Sequence, residues 1–301
     1  MLAACVSTDY APVRFVVVGD SGSGNDAAME VGAAMRDVCA TQGCDLGLML
    51  GDNIYDVGVN GADDPQWQEK YEAPFGAVGV EFLAVLGNHD YGGINNLGRA
   101  EAQIAYSATS DTFTMPDHFY ERIVQNIGFY GLDTQAILLG PDGLDRDFAA
   151  EQGAWLDERL ADAPPWRVAF AHHPYYSNGE HGDAGSYDGL SDELAVLSGA
   201  YVRDFADQHL CGKVDLYLTG HDHDREWLTE TCGGTQLLVS GAGSKLRTVS
   251  DAHPTQFSDA SVEGFFWIEI DDDSLRVQAW SRAGELQYTG GAERDLSLGG
   301  R

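Results

Sequence analysis

The 301-residue chain is predicted to be an α/β protein, built as a mixed, helix-covered pair of β-sheets. Three observations carry this. Short apolar runs rich in Val, Leu and Phe alternate with longer, helix-spaced segments up to about residue 220. Beyond that point the chain turns wholly β, with strands at the short intervals of a meander. Finally, five strand exits pair a small residue with a polar side chain, as ligand sites at the carboxyl ends of α/β strands require.

In chain order, "RFVVVGD" (14–20) predicts a strand, 25–40 a helix, "LGLML" (46–50) a strand, 65–75 a helical segment and "EFLAVLG" (81–87) a strand. Two strands follow near 119–124 and 128–133, then a helix over 148–161 that holds "WLDERL". "WRVAFAHH" (166–173) is the next strand, 190–209 a helix and "VDLYLTG" (214–220) a strand. "REWLTE", "TQLLVSG", "GFFWIEI" and "LRVQAWS" complete the β-rich end. No linker divides residues 13–290, which read as one catalytic domain between a short leader, 1–12, and a frayed tail, 291–301.

The chain holds 48 acidic against 17 basic residues, a formal charge of −31, which argues against a nucleic-acid or anionic-membrane partner held by a basic face. No stretch reaches the length of a transmembrane helix. Of five cysteines, Cys39, Cys44, Cys211 and Cys232 lie in the globular part. The expected pairing is 39–44 and 211–232, against the alternative of four free thiols in a cytosolic protein. Cys5 stands in "LAAC", which resembles a bacterial lipobox. Either it is the remnant of a processed signal, with Cys5 as a lipid anchor, or the match is accidental.

The strand exits read "GDSG", "GDNIY", "GNHD", "AHHP" and "GHDH". Taken singly, each has a plain explanation as a helix cap, a turn or a surface histidine. Together Asp20, Asp52, Tyr55, Asn88, His172, His221 and His223 are the oxygen and nitrogen donors of a first-row metal site.

This ordered set resembles the calcineurin-like metallophosphoesterases, and among them the small, tartrate-resistant purple acid phosphatases, whose distinguishing residue is matched by Tyr55. Further likeness lies in "AQIAYS" (102–107), "EHG" (180–182) and "SGAG" (240–243). The resemblance implies a four-layer αββα sandwich of two mixed sheets flanked by helices. It also implies a binuclear centre in which Asp20, Asp52, Tyr55 and His223 hold Fe(III), while Asp52, Asn88, His172 and His221 hold Fe(II), Zn(II) or Mn(II). In "AHHP" the family pattern places the ligand at His172, with His173 in a variable position. His89 and His181 are the implied leaving-group acids, with Asp90 orienting His89.

The implied reaction is hydrolysis of small phosphate monoesters by a metal-activated hydroxide, with no protein nucleophile. The competing readings are a phosphodiesterase or nucleotidase on the same centre, and a non-catalytic metal- or phosphate-binding surface lipoprotein. The loops at 91–100, 140–152 and 177–189 would select the substrate. A monomer in a secreted, periplasmic or cell-surface location is expected. His209 and His253 read as surface residues, and Trp155 and Trp267 as core.

Overall fold

The computed structural model describes residues 10–92, 96–141, 143–144 and 147–294, so Cys5 and residues 295–301 lie outside the described residues. The chain runs β1 (Val13–Val18), α1 (Asp26–Gln42), β2 (Leu46–Met49), β3 (Phe82–Ala84), α2 (Leu97–Ser107) and β4 (Phe113–Thr114). Next come β5 (Tyr120–Val124), β6 (Ile127–Gly131), α3 (Thr134–Leu138), α4 (Phe148–Leu160), β7 (Trp166–Phe170), α5 (Ala195–Ser198), α6 (Ala200–His209) and β8 (Leu216–Thr219). The end is all strand: β9 (Arg225–Cys232), β10 (Thr235–Ser240), β11 (Thr255–Asp259), β12 (Gly264–Asp271), β13 (Ser274–Ser281) and β14 (Leu286–Glu293).

Two seven-stranded mixed sheets result, ordered β14-β13-β12-β1-β2-β3-β4 and β11-β9-β10-β8-β7-β6-β5. In each, a block of four parallel strands, β1 to β4 or β10-β8-β7-β6, is extended by antiparallel neighbours. Such parallel blocks are buried on both faces and so need continuous apolar strands, which "VRFVVV" and "LYLT" supply. The sheets face one another across a shared core in which Phe15 of β1 meets Phe129 of β6 edge to face at 5.3 Å. A second apolar cluster lies under α3, α4 and α6, where Leu156, Val202 and Phe205 pack on Tyr130 and Tyr217.

Local signals account for the helices. Asn25 caps α1 by accepting from the Ala28 amide at 2.9 Å, and Val31, Met35 and Val38 repeat at helical spacing on its buried face. The helix stops at Gly43, whose φ of 84° suits glycine. Asp133 and Asp147 cap α3 and α4 in the same way.

Several expectations are corrected. The helix expected over 190–209 is broken: a 3-10 turn, Asp192–Leu194, precedes α5, and Gly199, at φ 75°, separates α5 from α6. Residues 65–75 form a π-helical turn at Gln68–Glu72 rather than a regular helix. β14 pairs with β13 through Gly291 and Glu293, so the expected tail begins inside a strand. His209 is buried and bonds Asp157 at 3.0 Å, and is not a surface residue. α2, α3, β4 and β11 are too short or too polar to stand out in the sequence. Both disulfides form as expected, Cys39–Cys44 and Cys211–Cys232.

Candidate metal centre

The five polar exits converge where the parallel strands of both sheets end. Asp20, Asp52 and His221 all take positive φ, 55°, 53° and 70°, a conformation that costs a non-glycine residue about 1–3 kcal/mol. The surroundings hold them there. The Asp20 amide donates to Gly51 O at 3.0 Å, and the His221 amide crosses from the other sheet to Asp20 Oδ2 at 2.8 Å. Gly51 itself has φ 85°, and a Cβ on it would lie 2.7 Å from His172 Nδ1, so the close approach of β2's exit to that ring requires glycine.

Two groups of donor atoms meet at Asp52. On one side the Tyr55 hydroxyl lies 2.9 Å from Asp20 Oδ1 and 3.1 Å from His223 Nε2. On the other, His172 Nε2 lies 3.0 Å from Asn88 Oδ1, 3.2 Å from His221 Nδ1 and 3.6 Å from Asp52 Oδ1. Donor atoms of Asp20, Asp52 and His172 fall within 4.8 Å of one another, and all three residues are buried. His172 Nδ1 sits 2.9 Å from Leu50 O and so carries the proton it donates there, which leaves Nε2 a lone pair aimed at the other acceptors.

The electrostatics fit a cation. Burial pushes the Asp20 carboxyl up to about 8, with His172 opposing and Asp52 adding to the rise. Burial, then Asp20 and Asp52, hold the Tyr55 phenol well above its usual range. Burial holds His221 well below the ordinary histidine value and, with Arg247 next, lowers His223 to about 4, so both imidazoles are neutral. Buried acids that ionise reluctantly, crowded against neutral imidazoles, are a donor set that a positive ion would satisfy.

The remaining site residues surround this core. His89 donates from Nδ1 to Asp56 O at 2.6 Å, and its Nε2 lies 3.9 Å from Asp52 Oδ2. His181 stacks on His221 with ring centres 4.2 Å apart; its Nδ1 faces Asp188 at 2.9 Å, and its Nε2 accepts from Arg247 at 2.9 Å. Asp222, between the two histidines of "GHDH", turns away from the centre and accepts from the His181 amide at 2.9 Å, anchoring that loop.

Asp90 is a correction. It does not orient His89; its buried carboxylate accepts from the amides of Asn53, Ile54 and Gly87 and from Gln103 Nε2 at 2.6 Å, which fixes the turn that carries Asp52 and Tyr55. Three further residues stand at the centre without a role assigned from the sequence. His173 is fully buried, with its ring 4.6 Å from that of His221. Lys245 and Arg247, just beyond "SGAG", reach the centre: Lys245 Nζ lies 3.3 Å from the Tyr55 ring centre. Their only sequence signal was two cations in a strongly acidic chain.

A family model described as calcineurin-like phosphoesterase matches residues 13–225. The chain is 30% identical to tartrate-resistant acid phosphatase type 5 of Homo sapiens, over 92% of this chain and 89% of that protein. It is 29% identical to the Rattus norvegicus protein of the same name, over 96% and 92%. Purple acid phosphatase 3 of Arabidopsis thaliana is 26% identical over 92% and 76%. Among solved structures, GAP50, the anchor in the inner membrane complex of Plasmodium, superposes with a TM-score of 0.71 at 20% identity, over 95% of this chain and 90% of that one. That last likeness concerns the fold alone.

Proposed function

We infer the roles of these residues from the premise that this chain belongs to the calcineurin-like phosphoesterases and, within them, to the purple acid phosphatases. It is a metal-dependent acid phosphatase, a hydrolase of phosphate monoesters. The observation that carries the assignment is the convergence of Asp20, Asp52 and His172 donor atoms, with Tyr55 and His223 on one flank and Asn88 and His221 on the other.

In this reading Asp52 would contribute to holding both of two ions. Asp20, Tyr55 and His223 complete the first site, and Asn88, His172 and His221 the second. Tyr55 with the carboxylates of Asp20 and Asp52 makes a hard, oxygen-rich donor set that would suit Fe(III). The amide and imidazoles of the second site suit Fe(II), Zn(II) or Mn(II). Bound ions supply Lewis acidity, neutralising phosphoryl oxygens and acidifying water.

The chain's own groups do the rest. His89 Nε2 and His181 Nε2 border the centre as the donors of the leaving-group proton. Arg247 donates to His181 Nε2, so that nitrogen serves as the acid only after a phosphate oxygen draws Arg247 away and the imidazole takes up a proton from water. Lys245 and Arg247 add positive charge beside the first site, which supports anion binding within an acidic surface.

Phosphate release from phenyl phosphate, together with metal analysis, tests the reading. Turnover with two ions per chain is expected. A two-metal protein that releases no phosphate from any monoester would return it to a non-catalytic binder. The same reading has a monomer acting on small phosphorylated molecules without nucleic acid, which size-exclusion chromatography and an RNA-binding titration check. Both disulfides support a secreted, periplasmic or cell-surface location; lipidation of Cys5 is tested by intact mass.

A further inference from the structure

Beside the second set of donors lies an open cleft of about 230 Å³, whose lining includes Asn88, His181 and His221. Its other walls differ in character from the centre. Leu138 and Leu139, at the end of α3, line it together with Val196 and Leu197 of α5. Of the eight large hydrophobics exposed among the described residues, three, Leu194, Val196 and Leu197, fall within this one four-residue stretch. Elsewhere such residues are scattered singly, which is ordinary; their concentration beside a reactive centre is not.

The charges point the same way. No lysine or arginine is among the described residues lining the cleft, and its one carboxylate, Asp188, is engaged by His181 Nδ1. The cations near the centre, Lys245 and Arg247, stand with the Tyr55 and His181 side chains instead. A phosphoryl group is thus served by donors and cations, whereas whatever projects from it past His221 meets leucine and valine.

We propose that this cleft is the subsite for the leaving group and that it takes an uncharged, apolar alcohol or phenol, so that the preferred substrates are phosphomonoesters of hydrophobic hydroxyl compounds rather than nucleotides or other polyanions. This rests on the phosphatase reading above. The cleft is continuous with the reacting centre through His181 and His221, so an ester oxygen placed there leads directly into it. The Tyr187 hydroxyl donates to Pro174 O, and His173 Nδ1 pairs with the Thr134 hydroxyl.

The test compares phenyl, 4-ethylphenyl and 4-butylphenyl phosphates, whose leaving groups differ little in acidity, with a nucleoside 5′-monophosphate. kcat/KM should rise about threefold for each methylene that enters the cleft, and the nucleotide should fall below phenyl phosphate. Val196 and Leu197 are 38% and 57% exposed, so aspartate there is compatible with folding. Leu197→Asp and Val196→Asp should each lower the ratio of butylphenyl to phenyl kcat/KM about tenfold. A flat series in the wild-type enzyme, or an unchanged ratio in a folded variant, overturns the proposal while leaving the phosphatase reading intact. Failure to release phosphate from every ester overturns both.

Discussion

The two sheets contribute opposite chemistry to one centre. The exits of β1, β2 and β3 in the first sheet carry Asp20, Asp52, Tyr55 and Asn88, all oxygen donors. The exits of β7 and β8 in the second carry His172, His221 and His223, all nitrogen donors. Neither sheet alone offers a mixed donor set. The difference teaches that the site belongs to the packing of the sheets, held by contacts such as the His221 amide on Asp20 Oδ2 and the Ser240 hydroxyl on Val17 O at 2.9 Å.

The largest effect should come from the residue that serves both halves. Asp52→Asn removes a charge shared by both proposed ions, and kcat/KM should fall about 10³-fold with both metals lost. Retention of two ions per chain with near-normal turnover would show that the halves do not meet at this carboxylate. Removing a nitrogen from the second sheet should be less complete: His172→Ala should lower metal content from two toward one, read by elemental analysis, and activity about 10²-fold.

His181 belongs to the second sheet's loops but acts, in our reading, on the leaving group. His181→Ala should depress hydrolysis of an alkyl phosphate about 10²-fold and of nitrophenyl phosphate less than about tenfold. Equal losses on both substrates would leave His181 as a phosphate-binding residue only. On the first sheet, Tyr55→Phe should abolish a phenolate-to-iron absorption band while activity stays within about tenfold. A wild-type protein that holds iron, is active and stays colourless after mild oxidation and mild reduction would remove Tyr55 from the ligand set.

The smallest effect concerns the clamp that joins the sheets away from the centre. Tyr91, past β3, donates to Asp133 Oδ2 at 2.5 Å, and His118 Nδ1 lies 2.6 Å from the same oxygen, with its Nε2 3.3 Å from Glu101. Burial alone would lower His118, but Asp133 and then Glu101 outweigh it and raise the ring above its usual value. A histidine raised on folding stabilises fully below its unfolded pKa of about 6.5, and that contribution is lost as pH rises through the folded value. Urea midpoints measured from pH 6 upward should therefore decline for the wild type and decline less for His118→Gln. Parallel curves would mean that the clamp does not titrate.

The legibility of these parts in the sequence follows the range of the forces involved. The parallel-block strands other than β4, with α1 and α4, announce themselves through apolar runs, helical spacing and caps, all set within a few residues. α5 and α6 read as one helix because the apolar pattern continues across Gly199, and only its left-handed φ breaks it. Asp90 sits beside His89 in "GNHD", which invited a local role, yet its partners are amides from the preceding exit.

What the sequence by itself determined is the candidate donor residues and their order: residue types at strand exits, legible because a small residue and a polar side chain after an apolar run are local events. Only the tertiary structure decided which sheet supplies which element of the chemistry. It also brought Lys245, Arg247 and His173 to the centre and placed Val196 and Leu197 on the cleft beside it. The physical reason is sequence separation. Arg247 meets His181 across 66 residues, and the His221 amide meets Asp20 across 201. Contacts that distant are specified by the summed burial of both sheets and leave no local periodicity to read.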